Sequence, residues 1–338
     1  MRIPLVIIVC AAVVAALTLG CNAVSKEAAI KHYVAGKLFA DKGDAEKALA
    51  ELAEAVRINP SLGIAHAAAG DIHRKQGNHE LARQSYEKSC QANPYAFRPH
   101  YNLGLTYQRL AHAAKAVKKV RDFLGKAVKT YVRAVTLDPD DFDTNLNLSA
   151  CYFQLGKYDL AEKYCTSALG INPEDPHVHS NLGIIYDSQD KLYEAINAYK
   201  ASLELDTNQP KLLVNLGSTY MRQQRLKKAI KAFGMACEMD PSDADPWEQL
   251  GSCHYRMKEY SKAQTAYQKA LSLNGSSCNA YRGLGVVYMT MFILDQEDTE
   301  LRELGLSAWH SSLELDPEQE DLRKFVRKYT PRYRGPEL

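Results

Sequence analysis

The chain has 338 residues, of which 46% are hydrophobic and 24% charged, and its formal net charge at pH 7 is +2. Without residues 1–20, which contain Arg2 and no acidic residue, 41 basic and 40 acidic residues remain. This balance excludes a bulk electrostatic basis for binding nucleic acid. The eight cysteines include no CxxC pair and no metal-ligand spacing, so the sequence predicts neither a metal nor another cofactor.

The first twenty residues predict an export signal. Arg2 precedes an uncharged apolar run from Ile3 to Gly20, and Cys21 follows directly. This arrangement resembles the lipobox of bacterial lipoproteins, although Thr18 replaces the usual leucine. The resemblance implies that residues 1–20 are removed, that Cys21 is acylated, and that residues 21–28 form a lipidated linker. The alternative is an uncleaved membrane anchor, because the run barely spans a bilayer.

Either form of anchor places the rest of the chain outside the cytoplasm. The residue after Cys21 is Asn22, which is not aspartate. By resemblance to bacterial lipoproteins, this implies an outer-membrane lipoprotein that faces the periplasm. Anchoring in the inner membrane, again facing the periplasm, is the alternative. Any contact with a membrane is expected to depend on the lipid rather than on bulk charge.

Proline residues close blocks of nearly constant length along the rest of the chain. Pro60 and Pro94 are 34 residues apart, as are Pro139 and Pro173, and Pro241 follows after twice that interval. A fixed period of this length predicts a stack of helical hairpins, because each block buries its apolar face only against its neighbours. Proline suits the boundaries because it cannot continue a helix.

Small and large residues recur at fixed positions within each block. The second block has Gly70 midway along its first helix, Gly77 at the turn, and Ala82 and Tyr86 on its second helix. This pattern resembles the tetratricopeptide repeat, and the resemblance covers about eight repeats over residues 29–317. It implies an all-α fold, a right-handed α-solenoid of helix-turn-helix units.

One more amphipathic helix is expected after the last repeat. Glu320 to Tyr329 carries Leu322, Phe325 and Val326 on one face. Solenoids need a terminal cap with a polar outer face, and this helix supplies one. Residues 318–338 are therefore assigned to the capping helix and a disordered tail.

Two repeats are too long for the period. In the third, Gly104 and Ala127 are 23 residues apart, where the other repeats place the equivalent positions 12 apart. The excess of 11 falls near residues 111–126 and makes about three turns at 3.6 residues per turn, so it is expected to lengthen both helices in phase. The eighth repeat carries about eight extra residues near 292–303.

The two insertions carry opposite charge. Solvated extensions of the helices explain both, but insertions outside the regular stack are also a reasonable place for specificity. The alternatives for the first are a docking site for anionic headgroups or for an acidic partner, and the two insertions could also pair between molecules. The candidate docking residues are Lys115, Lys118, Lys119 and Arg121, with Lys126 and one Asp122 nearby. The second insertion contains Asp295, Glu297, Asp298, Glu300 and Glu303.

A row of carboxamides predicts where a partner would bind. In the tetratricopeptide fold, the first helix of each repeat lines the concave surface. Its residue before the central leucine and small residue is Asn102, Asn147, Asn181, Asn215 and Gln249 in consecutive repeats. A carboxamide offers the donor and the acceptor that an extended peptide backbone needs. The row resembles the asparagine ladder of the repeat domain of O-linked N-acetylglucosamine transferase; the alternative is that it is common to the whole repeat family.

Further partner contacts are expected one turn along the same helices, because aromatic and arginine residues favour protein interfaces. The residues concerned are Asp187, Arg222, Tyr255 and Arg256. Four histidines also share one repeat position, but equivalent helices stand too far apart for their rings to hold one metal ion, so no metal site is predicted. These histidines are His32, His66, His100 and His179.

Cysteines also recur at shared repeat positions. Cys151 and Cys253 occupy one position, and Cys90 and Cys237 occupy another. Both positions lie on packed helix faces, so these residues are expected to act as small buried hydrophobes.

The sequence predicts a non-catalytic scaffold for protein–protein interaction in the bacterial envelope, since it has no nucleophile elbow, phosphate loop or zinc-protease motif. The expected partners are other envelope proteins or extended peptides. Resemblance to the tetratricopeptide lipoproteins of type IV pilus biogenesis implies a role in assembling a secretin complex, by analogy of fold. The alternatives are an adaptor for envelope proteases or cell-wall hydrolases and a periplasmic holdase for extended chains.

Overall fold

The computed structural model describes residues 25–295 and 298–330, and every regular element within them is a helix. The predicted export signal, Cys21, Glu297 and the predicted tail after Thr330 lie outside this description. Across the described residues, no helix is both long enough and apolar enough to cross a bilayer. The first described helix already includes residue 25, within the stretch 21–28 that the sequence assigns to a linker.

The chain divides into two compact units, an N-terminal half that ends at Pro173 and a C-terminal half that begins at Glu174. Four helical hairpins make up the described part of the N-terminal half. Their helices are α1 (25–41), α2 (Ala45–Ile58), α3 (Gly63–Lys75), α4 (His79–Ala92), α5 (Phe97–Ala113), α6 (Val117–Leu137), α7 (Phe142–Gln154) and α8 (Tyr158–Ile171).

The described part of the C-terminal half contains four more hairpins and a single final helix. Its helices are α9 (Pro176–Ser188), α10 (Leu192–Leu205), α11 (Pro210–Arg222), α12 (Leu226–Met239), α13 (Asp245–Arg256), α14 (Tyr260–Leu273), α15 (Cys278–Leu294), α16 (Thr299–Leu315) and α17 (Glu320–Tyr329). Within each half, helices that follow one another in sequence pack together. The predicted all-α solenoid of eight repeats is therefore confirmed.

The final helix α17 has the bounds that the sequence predicts. Leu322 and Val326 are buried in a cluster with Met289, Leu306 and Trp309, and they close the end of the C-terminal half. The third residue of the predicted apolar stripe, Phe325, is 49% exposed, although its ring lies 6.1 Å from that of Trp309. The stripe is therefore buried at two of its three positions.

A glycine of the first helix faces a ring of the second helix in most hairpins. A Cβ added at Gly70 or Gly217 would lie 2.7 Å from the ring of Tyr86 or Phe233, far inside van der Waals contact. The fourth hairpin differs: Ser149 stands at the glycine position, and the smaller Cys165 replaces the ring. Glycine is needed because it lets the ring occupy the space that a side chain would fill. The other pairs of glycine and ring are Gly104 and Tyr131, Gly183 and Tyr199, Gly251 and Tyr267, and Gly285 and Trp309.

The shared histidine position has a structural role in the N-terminal half. The His66 ring nitrogen Nε2 lies 3.0 Å from the carbonyl of Pro60, and the His100 Nε2 lies 3.2 Å from that of Pro94. In the fourth repeat the same position is Asn145, whose amide donates to the Pro139 carbonyl at 2.9 Å. A side-chain donor at this position therefore satisfies the proline carbonyl that ends the preceding repeat.

The cysteines of the repeats behave as the sequence predicts. Cys151, Cys165, Cys237 and Cys253 are buried, and Cys90 is partly buried. Burial raises the pKa of Cys151 and Cys165 to about 12 and that of Cys253 to about 11, because the thiolate would lose its hydration. These side chains are protonated thiols in apolar surroundings, which makes them weak nucleophiles.

Both insertions lengthen helices, and for the first insertion this agrees with the prediction. In the third repeat, α5 has 17 residues and α6 has 21, against 13 and 14 in the hairpin α7 and α8. The differences of four and seven residues account for all eleven inserted positions. In the eighth repeat, α15 and α16 have 17 residues each. Both insertions are therefore built as extensions of a regular hairpin.

The turn within each ordinary hairpin requires a positive φ, which L-residues with a Cβ avoid. In the N-terminal half this position is glycine, with φ of 82° at Gly43, 76° at Gly77 and 73° at Gly156. In the C-terminal half the same conformation is held by residues with side chains. These are Asp190 with φ 61°, Gln224 with φ 61° and Lys258 with φ 62°.

Candidate partner-binding surfaces

Three of the predicted carboxamides lie on successive first helices of the C-terminal half. Asn181 is on α9, Asn215 on α11 and Gln249 on α13, and each is partly buried. None of their side-chain amides makes a hydrogen bond with another residue of the described chain. Each group therefore presents an unused donor and an unused acceptor to a partner.

The two carboxamides of the N-terminal half differ from each other. The Asn147 side chain is partly buried and makes no hydrogen bond within the described part of the chain. Asn102 is only 6% exposed, and its Nδ2 donates to Asp71 Oδ1 at 3.0 Å. The side-chain amide of Asn102 is therefore already engaged by Asp71 on α3, so in this half only Asn147 of the row has an unused side-chain amide.

Two of the predicted contact residues pair with each other. Arg222 on α11 lies 2.8 Å from Asp187 Oδ2 on α9 and 2.6 Å from Asp190 Oδ1 in the following turn. Thr219 Oγ1 also donates to Asp187 Oδ1 at 2.9 Å. Asp187 and Arg222 thus join the fifth repeat to the sixth, and a partner would meet a neutralised pair rather than isolated charges.

The other two predicted contact residues continue this inter-repeat network. The Arg256 guanidinium donates to Gln224 Oε1, so the turn of the sixth repeat holds the first helix of the seventh. The Tyr255 hydroxyl lies 3.2 Å from Thr290 Oγ1 in the eighth repeat. Whether these side chains also contact a partner stays a prediction.

A groove lies in the N-terminal half, and of the residues that the sequence predicts for partner binding only Asn102 lines it. The groove has a volume of about 620 Å³ and runs between the first helices α1, α3 and α5. Tyr33, Ile64 and Ala67 supply apolar walls, and a smaller groove of about 240 Å³ adjoins it. The charged residues that line the two grooves are Lys37, Asp41, Asp71, Arg74, Lys75 and Arg98.

Hydrogen bonds fix the acidic centre of this groove. Tyr86 donates its hydroxyl to Asp71 Oδ1 at 2.6 Å, and Arg74 Nε lies 3.3 Å from the same hydroxyl. Burial, followed by the neighbouring Asp71 carboxylate, raises the pKa of Tyr86. Four basic side chains and two carboxylates line the two grooves, so a partner would meet an excess of positive charge there.

Sequence reasoning missed this groove because it followed one position of the repeat. Lys37 and Asp71 each stand directly after the central glycine of their repeats, three residues after the carboxamide position. Comparing charged residues at that position across neighbouring repeats would have indicated the groove.

The candidate docking residues of the first insertion lie where α5 ends and α6 begins. Lys115, Lys118, Lys119 and Arg121 are all exposed. The nearby Asp122 pairs with Lys126 at 2.9 Å, within α6. In the described ranges 25–295 and 298–330, no cluster of three or more histidine, cysteine or carboxylate side chains could hold a metal ion.

Helical hairpins of this period, in which a glycine of the first helix accommodates a ring of the second, define the chain as a tetratricopeptide-repeat protein. The family model of the C-terminal domain of cilia and flagella-associated protein 70 matches residues 22–272, and the chain belongs to that family. The repeat fold is that of a scaffold for protein–protein interaction, and this scaffold family is generally non-catalytic. A comparison with curated proteins gave no match.

Solved structures of similar fold have low sequence identity to this chain. The Cut9–Hcn1 hetero-tetramer of the APC/C has a TM-score of 0.52 at 17% identity, covering 86% of this chain and 55% of that one. The Pseudomonas aeruginosa pilF protein has a TM-score of 0.51 at 17% identity, covering 64% and 94%. YrrB, a tetratricopeptide protein with an unusual peptide-binding site, has a TM-score of 0.49 at 17% identity, covering 60% and 99%. At these identities the likeness concerns the fold alone.

Proposed function

We propose that the chain is a non-catalytic envelope scaffold, anchored at Cys21 and facing the periplasm, that grips an extended segment of a partner protein. The observation that carries the proposal is the set of three carboxamides on successive first helices, Asn181, Asn215 and Gln249, whose hydrogen-bonding groups are unused within the described chain. The donor and the acceptor on each repeat complement the N–H and C=O groups that an extended backbone presents.

The groove of the N-terminal half adds a preference for charge. Its exposed Lys37 and Arg98 face a space whose carboxylate at Asp71 already accepts two hydrogen bonds. A partner segment with acidic side chains is therefore favoured there, beside the apolar walls of Tyr33 and Ile64. In this proposal, the carboxamides hydrogen-bond to the backbone of the partner, and the groove selects for acidic side chains.

In its finer form, the proposal is that the scaffold helps to assemble a multiprotein envelope complex such as a type IV pilus or secretin machine. Support comes from the lipobox-like residues before Cys21 and from the shared repeat fold. In cells that encode such a machine, deleting the chain is expected to abolish its large oligomer. Co-purification with a protease or cell-wall hydrolase whose turnover changes would assign the adaptor role instead.

The binding mode is tested with an unfolded polypeptide, reduced and carboxymethylated lactalbumin, measured by fluorescence anisotropy on the full chain. The double substitution Asn181→Ala/Asn215→Ala is expected to weaken binding about thirtyfold, from ~1 kcal/mol for each of the two lost carboxamides. The matched control is Asn197→Ala/Asn279→Ala, because Asn197 on α10 and Asn279 on α15 are exposed asparagines outside the row.

A chemical variant of the ligand separates backbone recognition from other contacts. A peptide methylated at its backbone nitrogens cannot donate hydrogen bonds, so it is expected to bind more weakly than the same peptide unmethylated. Equal affinity for both peptides, together with unchanged affinity of the double Asn→Ala variant, would show that the carboxamide row is family background.

A further inference from the structure

The lengthened hairpin of the third repeat ends in a tip that combines positive charge with exposed apolar groups. Between Arg109 and Arg121 the chain has five basic residues and no acidic residue. From the lengths of α5 and α6, the hairpin extends beyond an ordinary repeat by four residues on one helix and seven on the other. At 1.5 Å per residue, this extension is about 6 to 10 Å long.

The base of this extension is rigidly packed. Ala111 and Leu124 are 3% exposed, and the rings of Tyr107 and Phe123 lie 6.3 Å apart. The Tyr107 hydroxyl also donates to Glu87 on α4, which ties the base to the second repeat. The tip is therefore held in a fixed position by the hairpin and does not behave as a loose loop.

The apex is unpartnered and convex. Val117 is 77% exposed, more than any other large aliphatic side chain among the described residues. Its neighbours in sequence include Lys115, Lys118 and Lys119. The side chains of these three lysines make no hydrogen bond or ion pair with described residues. The carboxylate of Asp122 near the start of α6 is already paired with Lys126. At the tip, three lysine charges are therefore unpaired and one valine side chain is exposed to solvent among the described residues.

We infer that this tip docks on the surface of a bilayer that contains anionic lipids, with lysines at the headgroup phosphates and Val117 at the acyl boundary. A narrow convex tip touches a planar anionic surface at every lysine, whereas a specific protein interface needs about 800 Å² of matched surface on each partner. Clusters of four to eight basic residues bind anionic membranes, and a neighbouring apolar side chain adds buried area. The tip supplies a second membrane contact, distinct from the predicted lipid at Cys21 and independent of the partner-binding proposal.

The test uses the full chain and vesicles of equal parts phosphatidylglycerol and phosphatidylcholine, compared with phosphatidylcholine alone. The predicted anchor contributes to both kinds of vesicle, so the measured quantity is the ratio of the two affinities in co-sedimentation. Lys118→Gln/Lys119→Gln is expected to lower this ratio about thirtyfold, at about fivefold for each lost lysine. The matched control is Lys88→Gln/Lys129→Gln, because both lysines are exposed on α4 and α6 away from the tip.

A second readout reports insertion at the apex itself. In Val117→Trp, the indole fluorescence is expected to shift to the blue with anionic vesicles and to be quenched by lipids brominated on their acyl chains. An unchanged affinity ratio in Lys118→Gln/Lys119→Gln, or no quenching of Val117→Trp, would overturn the inference. Binding of soluble polyglutamate in preference to the vesicles would overturn it too, and would assign the tip to an acidic protein.

Discussion

The two halves of the chain build the same turn from different residues. The N-terminal half places glycine at the positive-φ position, whereas the C-terminal half places Asp190, Gln224 and Lys258 there. Two of these side chains hold the next repeat, since Asp190 and Gln224 accept hydrogen bonds from Arg222 and Arg256. A residue with a Cβ costs of order 1 kcal/mol in this conformation. At Asp190 and Gln224 that cost is offset by a bond between repeats.

The same positive-φ turn can therefore be built either without strain, by glycine, or with a side chain that contacts the next repeat. A turn glycine relaxes the hairpin itself but adds no side-chain contact of its own to the next repeat. A turn aspartate or glutamine strains the hairpin and adds a directional contact to the next first helix. Repeats joined by both packing and hydrogen bonds keep their mutual angle more closely, which suits the surface where Asn181, Asn215 and Gln249 stand in sequence.

The largest expected effect concerns what the two halves share. Gly70→Ala in the N-terminal half and Gly217→Ala in the C-terminal half should each lower the free energy of unfolding by about 2 kcal/mol, because the new Cβ would lie 2.7 Å from a buried ring. Hydrogen-exchange mass spectrometry of each half would measure both losses. The control Gly234→Ala has open space around its Cβ and is expected to stabilise α12 slightly. A loss in only one half would show that the helix contacts of the two halves are not equivalent.

The second prediction concerns the turn position at which the two halves differ. Lys258→Gly should stabilise the C-terminal half by about 1 kcal/mol, because it removes strain and the lysine side chain has no partner among the described residues. Asp190→Gly should be nearly neutral, since the relieved strain is offset by the loss of the ion pair with Arg222. Chemical denaturation of each variant measures the difference. Equal stabilisation by both substitutions would show that the Asp190–Arg222 pair contributes nothing.

The smallest effect is a pH dependence of the N-terminal half. Burial lowers the pKa of His100 below the ordinary value of 6.5, and of His73 likewise. The unfolded chain therefore binds protons first as the pH falls, so the stability contributed by neutral His100 is present above 6.5 and is lost below it. His100→Asn should reduce this loss, because Asn145 makes the equivalent bond to a proline carbonyl without titrating. Hydrogen exchange across this pH range would test it, and an unchanged slope in His100→Asn would contradict it.

Most of the fold could be predicted from the sequence because the repeat makes the same demands at each position. Pro60 and Pro94 mark where helices end, and Gly70 and Gly217 mark where a ring must fit. The bounds of α17 follow from its apolar spacing. The phase of the first insertion could also be predicted, because only whole turns keep both helices in register with the stack.

The candidate surfaces were harder to predict because exposure depends on neighbours from other repeats. Asn102 occupies the same repeat position as Asn181, but Asp71 on the adjacent first helix engages its amide. Asp187 and Arg222 are typical of an interface by residue type, yet they pair with each other across two repeats. A pattern within one repeat cannot show which residue of the next repeat will meet a given side chain.

In most hairpins, the glycine and the ring that packs against it lie on different helices, so this contact limits which segments of the chain can be exchanged. Ser149 forms a side-chain hydrogen bond with Cys165 in the fourth repeat, where the third has Gly104 and Tyr131. Moving α8 alone into the third repeat would leave a void beside Gly104, and moving α6 alone into the fourth would drive Tyr131 into Ser149. Whole hairpins carry both partners with them, so duplication or engineered shuffling of this chain has to proceed in units of two helices.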